Sequence, residues 1–289
     1  MADDNITLIS PISIPQNSVE VIDADEEVFF LYTEGCPLEW KHEQIMSQKD
    51  AYIDVMIDDQ LIIKIAQNQS LLSVNGTTGT VVWNSSIMLS KFMFTHRSWL
   101  NLSADKTKIL ELGSGCGLTG ISLAATLVKL IALTDQATML PHLWKNVKRN
   151  LDRNLISSKV LVVELAWGEE IDRDILSEHW DYIIASDCIY NEFIVNAFVE
   201  TLARLCNNNK FAKQIHEESL QNDNNERIQP TIAIIAMELR SEIVHLEFLK
   251  EMKRKNFIMW RLPNTMLGSD FEKGYAAYIA WTKDSLIYN

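Results

Sequence analysis

The chain has 289 residues, 47% of them hydrophobic, and a formal net charge of −13. That length allows one large domain with an extension or two small domains, and the apolar share supports a sizeable core. No apolar run is long enough for a membrane span, no signal-peptide pattern opens the chain, and no basic stripe is present to hold a phosphate backbone.

These features predict a protein that binds neither membrane nor nucleic acid directly. Cys36, Cys116, Cys188 and Cys206 have neither metal-site nor disulfide-framework spacing. A reduced intracellular setting follows, cytoplasmic with the nucleus left open, and no metal site is expected.

Residues 1–50 hold 11 acids and 2 bases, a net of −9, which leaves −4 for the other 239 residues. So acidic an arm suits a basic partner, and it is equally consistent with a solvated tail. Pro11 and Pro15 break any period before residue 25. The apolar run at 28–32 reads as a short strand, and 38–49 as a short helix or loop. Residues 1–50 are therefore expected to form a partly irregular extension.

Tyr52, Ile53, Val55 and Ile57, then Leu61, Ile62, Ile63 and Ile65, flank Asp58-Asp59 and read as a β-hairpin. The loop at 76–79 leads to Val81, Val82 and Trp83, and residues 84–100 read as an amphipathic helix. Hairpin and helix make up the segment 51–100.

From residue 101 to 289 strands and helices alternate. Strands are predicted near 108–112, 129–134, 159–165 and 181–186, and helices near 117–127, 138–153 and 192–206. A polar stretch at 207–229 reads as an inserted surface loop. A fifth strand follows at 231–238, a helix at 242–255, and two strands at 257–262 and 275–282 with no helix between them. Alternation implies a parallel sheet covered on both faces. The closing pair implies an antiparallel hairpin. The predicted fold is α/β: a doubly wound, seven-stranded Rossmann-like sheet with a C-terminal antiparallel hairpin and an N-terminal β-hairpin extension.

The chemistry gathers at strand ends. Ile109-Leu-Glu-Leu-Gly-Ser-Gly-Cys-Gly117 is a buried strand, an acid and a glycine turn opening a helix. Its glycines allow positive φ and close approach of a ligand. Asp135 ends the next strand, 24 residues after Glu111, where a carboxylate can hold both hydroxyls of a ribose. Two cofactors fit this plan, an NAD-type dinucleotide and S-adenosylmethionine. An acid two residues before the first glycine suits the methionine end of S-adenosylmethionine better than a pyrophosphate, and the closing hairpin is the methyltransferase variant of the doubly wound fold.

The fourth strand of this domain ends in Ala185-Ser-Asp-Cys-Ile-Tyr-Asn191. Its tip faces the same cleft, so Asp187 can orient an incoming ammonium and Tyr190 can wall its channel. Alone, Asp187 would read as the cap of the helix at 192. Trp167, after the third strand, and Trp83 can stack on adenine or close the pocket. His142, His179 and His245 read as surface residues, and no His–acid pair is evident beside Cys116 or Cys188.

In this order and spacing, Gly79-Thr-Val-Val-Trp83, Glu111-Leu-Gly-Ser-Gly-Cys-Gly117, Thr134-Asp-Gln136, Ala166-Trp167 and Ser186-Asp-Cys-Ile-Tyr-Asn191 resemble the seven-β-strand protein-lysine methyltransferases. Thr77-Thr-Gly-Thr-Val-Val-Trp83, Ile189-Tyr-Asn191 and Leu239-Arg-Ser241 look like a fungal branch, ribosomal lysine N-methyltransferase 5. The likeness covers about residues 50–283. It implies S-adenosylmethionine contacts from Trp83, Glu111, Gly113, Ser114, Gly115, Asp135, Trp167 and Ser186, with Asp187 and Tyr190 on the substrate side. It further implies monomethylation of a lysine on a large-subunit ribosomal protein, a basic substrate. Ser186 departs from the alanine or small apolar residue common there, and residues 1–50 have no counterpart. Methylation of another protein or of a small molecule, and cofactor binding without turnover, remain alternatives.

Overall fold

The computed structural model describes residues 10–35, 44–71, 78–125, 127–208 and 229–286. Nearly all of the polar stretch expected as an insertion lies outside them.

The strands are β1 (Val19–Glu20), β2 (Tyr52–Asp58), β3 (Leu61–Ala66), β4 (Lys108–Leu112), β5 (Leu130–Asp135), β6 (Val160–Glu164), β7 (Tyr182–Ser186), β8 (Ile232–Glu238), β9 (Phe257–Arg261) and β10 (Tyr275–Thr282). The helices among the described residues are α1 (Ala24–Phe30), α2 (Asn84–Thr95), α3 (Leu118–Ala124), α4 (Leu140–Asn150), α5 (Arg153–Lys159), α6 (Arg173–Ser177), α7 (Glu192–Cys206) and α8 (Glu242–Arg254).

The main sheet has the order β1-β9-β10-β8-β7-β4-β5-β6. Strands β4 to β8 are parallel. β10 returns antiparallel between β8 and β9, so the expected closing hairpin is present. Strands β8 and β10 are buried along their whole length, because helices cover both faces and continuous apolar runs can be sequestered there. The core accordingly divides into two clusters. The chain enters the parallel sheet at β4, builds β5 and β6 on one side, then crosses to β7 and β8 on the other. That reversal opens a crevice above the C-terminal ends of β4 and β7, the point where open α/β sheets bind ligands.

The hairpin β2–β3 forms its own two-stranded sheet. Alternate residues Ile53, Val55 and Ile57 are buried and join the core around Leu89 and Phe92 of α2. Two amides one helical turn apart on α4 tie the hairpin down. Asn146 accepts from Ala66 N–H at 2.8 Å and donates to its carbonyl at 3.1 Å. Asn150 makes the same pair of bonds to Lys64, at 2.8 and 2.9 Å. Gln67 then accepts from Val82 N–H at 2.8 Å, which holds Val82 beside the hairpin, directly before Trp83.

Four local expectations are corrected. Residues 28–30 are helical: Asp23 caps α1 by accepting from Asp25 and Glu26 N–H at 2.8 and 3.0 Å, and Ala24, Val28 and Leu31, at i, i+4 and i+7, are buried together. The segment set apart as an extension also supplies β1, an eighth strand, which pairs antiparallel with β9. Two residues are too few to show a period. The helix expected over 138–153 is two helices, because Asp152 accepts from Asn154 and Leu155 N–H and starts α5. His245 is buried, with Nε2 2.9 Å from the Tyr278 hydroxyl, and burial pushes its pKa down to about 3.

Candidate active site

A cavity of about 650 Å³ opens at the crevice. Nine of the ten residues named above line it: Trp83, Gly113, Ser114, Gly115, Asp135, Trp167, Ser186, Asp187 and Tyr190. Glu111 does not.

The turn after β4 has Gly113 at φ 62°, Gly115 at φ 54° and Gly117 at φ 81°, three left-handed positions that side chains resist. Its shape leaves no room for added atoms. A Cβ on Gly113 would lie 2.8 Å from both Cys188 Sγ and Trp167 Cζ2, and one on Gly79 would lie 2.8 Å from Gly115 Cα. The loop carrying Gly79 therefore rests directly on the turn.

Asp135 supports the same turn. Its Oδ2 accepts from Gly115 N–H at 2.8 Å and its Oδ1 from Gln136 N–H at 2.8 Å. Burial raises its pKa to about 6, against the pull of those two N–H groups. Asp135 remains part of the cavity wall.

Glu111 lies beneath the turn, 2% exposed. Its Oε2 accepts from Gly120 N–H at 3.2 Å, and burial raises its pKa to about 8. That burial favours the neutral acid, and the carboxyl pins the start of α3 to β4. Glu111→Gln is expected to keep that bond and hold thermal stability at pH 7. The wild-type carboxyl adds stability that is fully present below its ordinary value of 4.5 and lost as pH rises through about 8. Melting temperatures measured from pH 5 to 9 should therefore fall more steeply for the wild type than for Glu111→Gln. Parallel curves would contradict this role.

At the tip of β7, Asp187 has φ 51°, and its side chain is 6% exposed. Its Oδ1 accepts from Glu238 N–H at 3.0 Å. Its Oδ2 lies 3.1 Å from an Arg240 guanidinium nitrogen. Burial raises its pKa, and Arg240 opposes the rise. Asp187 is not the cap of α7; Asn191 is, accepting from Phe193 N–H at 3.0 Å. Tyr190 is 40% exposed at the cavity edge.

The tryptophans form two walls. Trp167 meets Phe198 edge-on at 5.0 Å between ring centres. Trp83 donates from Nε1 to the Thr78 carbonyl at 3.0 Å, and the Arg240 guanidinium lies 4.6 Å from its ring centre. Sequence reasoning gave Arg240 no role. Its only signal was the phrase Leu239-Arg-Ser241, directly after β8.

Cys116 and Cys188 also line the cavity. His142 Nε2 is 3.6 Å from Cys116 Sγ, a neighbour that sequence spacing did not reveal. Burial pushes both thiols up, so neither is a thiolate at neutral pH.

A protein of Schizosaccharomyces pombe named diaminohydroxyphosphoribosylamino-pyrimidine deaminase is 33% identical over 186 residues, 61% of this chain and 44% of that protein. Mouse (Mus musculus) protein N-lysine methyltransferase METTL21A is 35% identical over 147 residues, 51% of this chain and 62% of the mouse protein. The chain thus matches only about half the length of these relatives. The family model described as lysine methyltransferase matches residues 58–227, more than half the chain and all of the turn, Asp135, Trp167 and the Asp187–Tyr190 segment, and the protein belongs to that family.

Proposed function

We propose that the protein transfers a methyl group from S-adenosylmethionine to a lysine side chain of another protein, with a large-subunit ribosomal protein as substrate and one methyl group added. The observation that carries this reading is the meeting of two sets of residues in one cavity: the glycine turn with Asp135, and Asp187 with Tyr190.

The residues suit this cofactor. A turn in which Cβ atoms are excluded at Gly113 and Gly79 admits a ligand close to the backbone. A carboxylate at the end of β5 accepts from paired hydroxyls, and the Trp83 and Trp167 rings offer flat apolar walls. When bound, S-adenosylmethionine supplies a methyl group on a positively charged sulfur, open to in-line attack by a neutral nitrogen.

The protein's part is to bind, orient and exclude water. A lysine arrives as an ammonium, and at its free pKa of about 10.4 its deprotonation at neutral pH costs about 4–5 kcal/mol. Asp187 favours the charged form, so its benefit lies in drawing in and aligning the nitrogen, with the proton leaving to water. Tyr190 borders the path.

Asp135 offers a direct check on cofactor binding. Asp135→Ala should weaken S-adenosylmethionine binding about tenfold or more, roughly 1.5–3 kcal/mol. The ionised carboxylate is the better acceptor, so binding should lower its pKa from about 6. Affinity should then rise from pH 5 to 7 and level off, and Asp135→Asn should flatten that rise. Calorimetry at several pH values measures both, and unchanged affinity in Asp135→Ala removes it from the site.

The function itself is tested by incubating the protein and labelled cofactor with lysate from a strain lacking the gene, then mapping labelled residues by mass spectrometry. Label on lysine in a ribosomal protein supports the full reading. Label only on small metabolites overturns it.

A further inference from the structure

Arg240 carries two contacts that belong to different walls of the cavity. It pairs with Asp187 at 3.1 Å on the substrate side, and its guanidinium carbon lies over the Trp83 ring, 4.6 Å from the ring centre. A third contact anchors it: both Nε and a terminal nitrogen bond Glu238 Oε2, and Glu238 is buried at the end of β8. Tyr275 O–H reaches Glu238 Oε1 at 3.4 Å, and Asn84, the first residue of α2 after Trp83, donates to the Tyr275 oxygen at 2.8 Å. The planar fork of arginine allows one residue to accept both roles, an ion pair in its plane and an aromatic ring against its face.

We propose that Arg240 is the positioning residue of the acceptor site, holding the Asp187 carboxylate in place at the tip of β7 while bracing Trp83, so that the substrate wall and the cofactor wall are set by one side chain.

This deepens the methyltransferase reading and rests on it for the identity of the acceptor. The groups facing Asp187 are Arg240 and Glu238 from the end of β8, the Ser85 hydroxyl from α2, Cys188 beside it and Tyr275 from β10. Arg240 is the one cation among them. Without it, a buried carboxylate beside Glu238 is left to favour its neutral form. A lysine at position 240 would restore the positive charge but lacks the planar guanidinium that lies over Trp83.

The test compares Arg240→Ala and Arg240→Lys with the wild type, using the full chain. Turnover on the labelled lysate protein should fall about thirtyfold or more in Arg240→Ala, with a smaller change in KM for the cofactor. The acid limb of its kcat–pH profile should move up by about one unit. Arg240→Lys should recover most of the turnover and return the acid limb toward the wild-type position.

Acrylamide quenching of Trp83, isolated as the difference from Trp83→Phe, reads the second contact without any turnover. It should rise in both Arg240 variants. Equal turnover and an unmoved acid limb in Arg240→Ala would overturn the proposal. So would a loss that Arg240→Lys fails to relieve while the acid limb stays unmoved in both variants, because that pattern marks a scaffold role alone. If the wild type labels no protein lysine, the acceptor reading fails; unchanged Trp83 quenching in both variants then overturns the coupling independently. Should Arg240→Ala not fold, Arg240→Gln takes its place.

Discussion

Asp187→Asn is expected to lower kcat at least about a hundredfold, roughly 2.7 kcal/mol, while changing S-adenosylmethionine affinity only a few-fold. The substitution keeps the shape and the backbone bond but breaks the ion pair, since the amide nitrogen that replaces Oδ2 is a donor facing the Arg240 donor at 3.1 Å. Asparagine tolerates the left-handed backbone that Asp187 adopts at φ 51°. Its amide oxygen can still accept from Glu238 N–H, now made at 3.0 Å. What disappears is the negative charge facing Arg240 and, in the proposed function, the incoming ammonium. Asp187→Ala would add backbone strain and orphan a buried N–H, so it reports folding as much as chemistry. Turnover and cofactor affinity measured on the same preparation separate the outcomes. Near wild-type turnover in Asp187→Asn would remove the carboxylate from the reaction and leave it as a bond to the end of β8.

Gly113→Ala is expected to destabilise the protein by about 2–5 kcal/mol, from left-handed strain of roughly 1–2 kcal/mol and overpacking of roughly 1–3 kcal/mol. The new methyl would lie 2.8 Å from Cys188 Sγ and Trp167 Cζ2. Neither neighbour can retreat easily: Cys188 is bonded to the Leu112 carbonyl at 3.3 Å, and Trp167 packs on Phe198. Any relief must come from shifting Trp167, which is a wall of the cavity, so cofactor affinity should fall together with stability. Denaturant unfolding and calorimetry measure the two. A stable variant with unchanged affinity would show that the turn has slack the geometry denies it. Gly268, at φ 98° with only Phe271 Cδ2 nearby at 3.7 Å, provides a control: Gly268→Ala should cost strain alone and spare the cavity.

Both substitutions act at residues that one sequence was enough to pick out. The reason is local. An apolar strand buried on both faces, a glycine turn and a helix start are consecutive in the chain, and each leaves its own composition signal. Asp135 and Asp187 were legible for the same reason, since each ends such a strand and topology alone carries it to the crevice. The neighbouring positions of β4 and β7 and the antiparallel closing pair were expected from the alternation of elements and from the missing helix before β10, and the structure has both.

What the chain decided only by folding depends on partners far apart in sequence or on patterns too short to register. The run at 28–32 was ambiguous because a short apolar stretch fits either period. The Asp23 cap and the packing of α1 against the core settle it as helix at its start. Buried Glu27, which accepts from Arg261 at 2.6 Å across 234 residues, binds the acidic segment to the sheet edge and has no local signature at all. Glu111 had the spacing of a cofactor ligand, but the direction of its side chain, into the core under Gly120, is set by which face of β4 the turn leaves open. Gly79 comes to rest on Gly115 because Asn146, Asn150 and Gln67 fix the hairpin. Arg240 meets Asp187 across 53 residues, since β8 pairs beside β7 and ends at the same height. Sequence periodicity records which face of an element is buried; only the paired sheet determines which charges meet at its edge.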